Sequence, residues 1–130
     1  MSRFVILKSV PAGAVLATAL GIAGGALAHG KGKPEHGGVL QLVGETSIEL
    51  VNRPDHVEVW VEDEGDEVAS AGLSGKILVE GPVRSEISLA PAGENRLEAK
   101  GATLAKGSQV TVLLTATATE AKTAASFKID

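Results

Sequence analysis

Three histidines carry whatever metal chemistry this chain has: His29, His36 and His56 are its entire imidazole inventory. Zero cysteines exclude thiolate metal sites, disulfides and cysteine catalysis together, so any metal centre must be built from nitrogen and oxygen donors. Two of the histidines sit in a short polar, glycine-rich stretch, HGKGKPEHGG at 29–38. The third follows an acid, Asp55-His56, where the chain leaves a turn. Imidazole nitrogen suits Cu(II) or Zn(II), and His29, His36 and His56 are the candidate ligands, the last with Asp55 beside it. The competing reading is solvated histidines in a tail and a turn-capping His56.

His29 gains chemistry from what precedes it. Arg3 and Lys8 form a basic start, Val10 to Ala23 is apolar and uncharged, and Ala26-Leu27-Ala28 sets small residues at the two positions a signal peptidase reads. This reads as a cleaved secretory signal over 1–28, and the glycines at 13, 21, 24 and 25 argue against the rival, a transmembrane anchor. A cut after Ala28 makes His29 the first residue, with an α-amino group and an imidazole that chelate Cu(II) together. A cut after Ala26 abolishes that chelate. The expected location is the periplasm, with no stable membrane insertion once the signal is removed.

The acidic run Glu62 to Glu67 lacks the spacing and closing Glu of a calcium loop, and reads as a solvated turn. No G-x-S-x-G elbow, H-E-x-x-H pair or phosphate-cradling loop is present, and there is no Tyr, so the expectation is a protein that is not an enzyme. Without Arg3 and Lys8 the chain keeps ten basic against sixteen acidic residues, a formal charge of −6. Nucleic acid is thereby disfavoured as a partner, and so is an anionic membrane surface.

The elements that must position these residues are strands. After the flexible arm 29–38, short β-branched runs alternate with turn residues through 39–130. The expected strands are Val39–Val43, Thr46–Val51, His56–Glu62, Lys76–Glu80, Glu86–Leu89, Arg96–Lys100, Gln109–Thr117 and Ala125–Ile129, with Val68–Leu73 as an irregular crossing and one short turn available to Thr117–Ala124. Val57, Val59 and Val61 fall on one face of their strand and Glu58, Trp60 and Glu62 on the other. The valines are expected inside, with Trp60 under a loop, under the arm, or exposed. Val110, Val112 and Leu114 mark a central strand with one deeply buried face. Only Trp60, Phe4 and Phe127 are aromatic, so the core is aliphatic and thin. Length and spacing give one all-β domain, an immunoglobulin-like antiparallel β-sandwich of seven or eight strands.

Several ordered segments carry a resemblance: HGG at 36–38, SIELV at 47–51, VEVWVEDEGDEV at 57–68, AGLSGKILV at 71–79, LAPAGENRLEA at 89–99 and KGSQVTVLLT at 106–115. Together they resemble the small periplasmic immunoglobulin-like domain associated with heavy-metal (copper, zinc, cobalt) efflux systems, including the N-terminal region of some cation-efflux adaptors. The resemblance implies a periplasmic β-sandwich serving metal homeostasis, with efflux or other envelope proteins as partners. His36-Gly37-Gly38, Glu49 and the 61–66 turn match its recurring polar features. Trp60 stands where Tyr or Phe is commoner, and the helical and lipoyl segments of an adaptor are lacking. A second resemblance links a mature N-terminal His on a small sandwich to periplasmic copper-resistance carriers, and implies His56 and Asp55 as partner ligands.

Two functions follow as expectations. One is a non-enzymatic periplasmic metal-binding or metal-homeostasis accessory using Cu(II) or Zn(II). The other is a metal-free immunoglobulin-like interaction module, docking on an envelope complex by a sheet edge or the Trp60 face.

Overall fold

The computed structural model describes residues 32–130. The expected signal over 1–28 and His29 lie outside the described residues. Those described form nine antiparallel strands: β1 (Val39–Val43), β2 (Thr46–Asn52), β3 (His56–Asp63), β4 (Asp66–Glu67), β5 (Leu73–Val79), β6 (Ser85–Pro91), β7 (Arg96–Lys100), β8 (Gln109–Ala116) and β9 (Lys122–Lys128). A single 3-10 turn at Ser70–Gly72 is the only helical piece among the described residues.

Neighbours run β9-β8-β5-β6-β7-β3-β2-β1, with β4 attached to β3. The end strands β9 and β1 touch, so the sheet curls nearly into a barrel. The bend is made by β6. Ser85 to Leu89 pair with β5, whereas Ala90 and Pro91 pair with Glu98 and Leu97 of β7. Pro91 closes this strand, where its missing N–H costs no ladder bond.

The period-two pattern builds the core as expected. Val57, Val59 and Val61 of β3 are buried against Ile77, Leu97, Val110, Val112, Leu114 and Phe127. Each such side chain contributes roughly 1.5–3 kcal/mol when fully buried. Two asparagines pin loops to this frame. The Asn52 side chain donates to the Leu104 carbonyl at 2.9 Å and accepts the Leu104 N–H at 3.0 Å, standing in for a missing strand partner. Buried Asn95 donates to the Val61 carbonyl at 3.0 Å.

The main differences from the expected boundaries fall at four places, one of them the last strand, which runs Lys122–Lys128 rather than Ala125–Ile129. The acidic run contributes a strand as well as a turn: Asp63 pairs with Asp66, and the two-residue loop Glu64-Gly65 has φ of 53° and 86°. Two left-handed residues in succession suit a type I′ hairpin, whose twist matches the flanking strands. β5 starts at Leu73, inside the segment read as a crossing, because it pairs with β8 all the way from Ala116 to Val110. The segment after β8 is a tight connection in which Glu120 takes φ 63° and donates to the Ala116 carbonyl.

Candidate functional site

Register decides what meets on the outer face of β2, β3 and β7. Trp60 of β3 lies between Glu49 of β2 and Arg96 of β7, and Glu58 lies between Val51 and Glu98. One step further His56 faces Lys100. Residues 56, 58 and 60 share this face because strand side chains alternate. Their inward neighbours Val57 and Val59 are fully buried, which fixes the register: a slip by one would turn the valines outward.

His56 is clamped at both ring nitrogens. Nδ1 is 2.7 Å from Asp55 Oδ1 and Nε2 is 2.8 Å from Glu58 Oε2. The hydrogen bond with Glu58, then that with Asp55, holds the imidazole above its ordinary pKa and favours its protonated form. Asp55 is exposed and is lowered by its bond to His56.

Glu58 is buried at the middle of the cluster. Its second oxygen, Oε1, accepts the Trp60 indole N–H at 3.1 Å and lies 3.5 Å from the Arg53 guanidinium. Burial works to raise this carboxyl, but the bonds from His56 and Trp60 and the Arg53 charge outweigh it and hold Glu58 below the ordinary value. Glu98 completes the group. One ligand atom each from His56, Glu58 and Glu98 lies within 4.8 Å of the others, so these three could hold a metal ion. With Nε2 turned to a metal, Nδ1 keeps Asp55 as its carboxylate partner, the arrangement that orients histidine ligands.

His36 belongs to a different constellation on the same face. Its ring stacks on Trp60 with centroids 3.6 Å apart and planes 5° from parallel, while the Arg96 guanidinium lies 5.5 Å from the Trp60 ring centre. Nδ1 of His36 is 2.8 Å from Oε1 of buried Glu49, and that carboxylate also accepts the backbone N–H groups of Glu35, His36 and Gly38 at 2.8–3.2 Å. Burial opposes ionisation of Glu49, but the His36 bond and the three N–H groups prevail and its pKa is lowered. The segment expected to be mobile up to Gly38 is therefore a strap over Glu35–Gly38, tied to β2 by a carboxylate that would otherwise be buried and unsatisfied. Gly38 is required there by close approach, since a Cβ would collide with the backbone carbonyl oxygen of Leu50.

Of the candidate ligands from sequence, His56 joins the group with Glu58 and Glu98, Asp55 backs it, His36 lies on Trp60 and Glu49, and His29 is outside the described residues. Glu58 and Glu98 were not among the sequence candidates. The His-x-Glu spacing at 56–58 on a strand was a usable signal for Glu58. Glu98 had none, because only the β3–β7 register brings it there. Trp60, expected under a loop, under the arm or exposed, lies beneath the His36 ring of the arm.

Comparison with protein-family models, curated proteins and solved structures finds no match to this chain.

Proposed function

We propose that this chain is a non-enzymatic, exported metal-binding protein, a periplasmic accessory of copper or zinc homeostasis built on an immunoglobulin-like variant of the antiparallel β architecture. The observation carrying this reading is the convergence of His56, Glu58 and Glu98 within 4.8 Å. One imidazole and two carboxylates are the nitrogen and oxygen donors that Zn(II) and Cu(II) accept, and the two carboxylate charges balance a divalent ion. Three protein ligands leave a coordination position open, which suits a carrier that must release its ion. Export is supported by the basic start, apolar stretch and Ala-x-Ala ending of residues 1–28, and association with metal efflux by the resemblance over 36–115.

Titration calorimetry with Zn(II) and Cu(II) tests this on protein whose N-terminus is fixed by intact mass. One-to-one binding that is lost in His56→Ala and Glu98→Gln is the expected result. Binding untouched by both substitutions but lost on blocking His29 would move the site to the terminus, and no binding would end the metal reading. The second reading, an interaction module, draws on exposed Val39, Leu42 and Val43 of β1, the strand at one end of the sheet order. It would be favoured if Leu42→Lys abolished capture of an efflux component by a protein that binds no metal.

A further inference from the structure

Glu58 is shared. Its Oε2 meets His56 Nε2 at 2.8 Å, and its Oε1 accepts from Trp60 at 3.1 Å. Trp60 in turn lies under the His36 ring, and Arg53 reaches both Glu58 Oε1 at 3.5 Å and the His36 carbonyl at 3.4 Å. Every link between the strap and the carboxylate is thus a direct contact, made on the face that carries the candidate ligands.

We infer that the strap Glu35–Gly38 sets the metal affinity of the His56/Glu58/Glu98 site, with Trp60 and Arg53 as positioning residues for Glu58. The inference rests on the metal reading above and deepens it by naming how the site is controlled. The stacked His36 ring fixes the plane of the indole, and the indole N–H then fixes which Glu58 oxygen is left for the ion. With the strap docked, Oε1 is engaged and Oε2 points toward His56. With the strap lifted, Trp60 loses its cover, Arg53 loses one of its two acceptors, and Glu58 is free to turn. Partners that orient a metal-binding carboxylate commonly change affinity about 10–100-fold when removed. Coupling is reciprocal, so a bound ion must also tighten the strap.

Trp60 is the only tryptophan and there is no tyrosine, so emission from the protein reports this one contact. Zn(II) is the probe, because its filled d shell does not quench indole by itself. In the unaltered full chain, Zn(II) is expected to shift Trp60 emission with the midpoint that calorimetry gives. Trp60→Phe is expected to weaken Zn(II) binding about tenfold. His36→Ala, at a half-exposed position that should fold, is expected to weaken it about three- to tenfold, on the order of known remote couplings. His36→Phe keeps a stacked ring without a ligating nitrogen, and is expected to restore most of the affinity.

Wild-type affinity in both Trp60→Phe and His36→Ala, or Trp60 emission that ignores Zn(II) while heat is released, would overturn the inference. His36→Phe as weak as His36→Ala would also overturn it, because a stacked ring on Trp60 would then not transmit the strap's position to Glu58. Failure of the site itself looks different: His56→Ala would then bind Zn(II) like the unaltered protein, or neither would bind at all.

Discussion

Glu49 and His36 are joined twice, through the backbone N–H of His36 at 2.9 Å to Oε2 and through its Nδ1 at 2.8 Å to Oε1. A buried carboxylate on β2 has thereby become the acceptor for a whole turn of chain 11 to 14 residues earlier. Glu49→Gln keeps the shape but offers one acceptor where the carboxylate offers two. It is expected to destabilise the domain by about 1–3 kcal/mol, since it leaves N–H groups of a half-buried turn without partners. Urea unfolding followed by Trp60 emission measures this, and an unchanged midpoint would mean that the strap adds nothing to stability.

The acid limb of the stability curve should report Glu49 and Glu58. Both pKa values are lowered on folding from an ordinary value near 4.5. Each therefore stabilises the fold above its unfolded pKa, and that contribution is lost as pH falls through the lower folded value. Unfolding midpoints taken below pH 4.5 should fall less steeply in Glu49→Gln than in the parent.

His56 works in the opposite sense. Its pKa is raised from 6.5, so its contribution is complete below that value and disappears as pH rises through the folded pKa. The parent should lose some stability on the alkaline side of pH 6.5, and His56→Ala should show no such slope. NMR titration of the imidazole gives the pKa directly; a value at or below 6.5 would contradict the two-carboxylate clamp. Because ligation needs the deprotonated ring, Zn(II) binding is expected to release a proton and to weaken with acid.

Phe127 is 1% exposed in a core otherwise made of aliphatic side chains. Phe127→Ala should cost about 3–5 kcal/mol by lost burial and the cavity left behind. Against the roughly 5–15 kcal/mol of a typical domain that is a large share, and thermal melting should show a midpoint lowered by at least about 10 °C.

Asn52 closes the loop at Leu104 with two hydrogen bonds of 2.9 and 3.0 Å. Asn52→Ala leaves the Leu104 backbone without either partner and is expected to cost about 1–3 kcal/mol. Hydrogen exchange at the Leu104 amide should speed up well before global unfolding, and equal protection in both proteins would contradict the pinning role.

What the sequence determined by itself is the local alternation of the chain. Val57, Val59 and Val61, or Val110, Val112 and Leu114, declare their buried face because a strand has a period of two and water expels one side of it. The turn at Glu64-Gly65 was legible for a similar reason, since glycine in an acidic run marks a left-handed position. Tertiary structure alone decided which strands are neighbours and so which outward residues meet. Glu98 is 40 residues from Glu58 in the chain and reaches it only because Glu58 and Glu98 are opposed in the β3–β7 ladder. That the arm could lie over Trp60 was one of the alternatives the sequence left open, but the tie of residues 35–38 to Glu49 was out of sight. A polar, glycine-rich segment has no periodicity to reveal a partner, and the carboxylate that accepts most of its hydrogen bonds, Glu49, owes its burial to packing rather than to its own character.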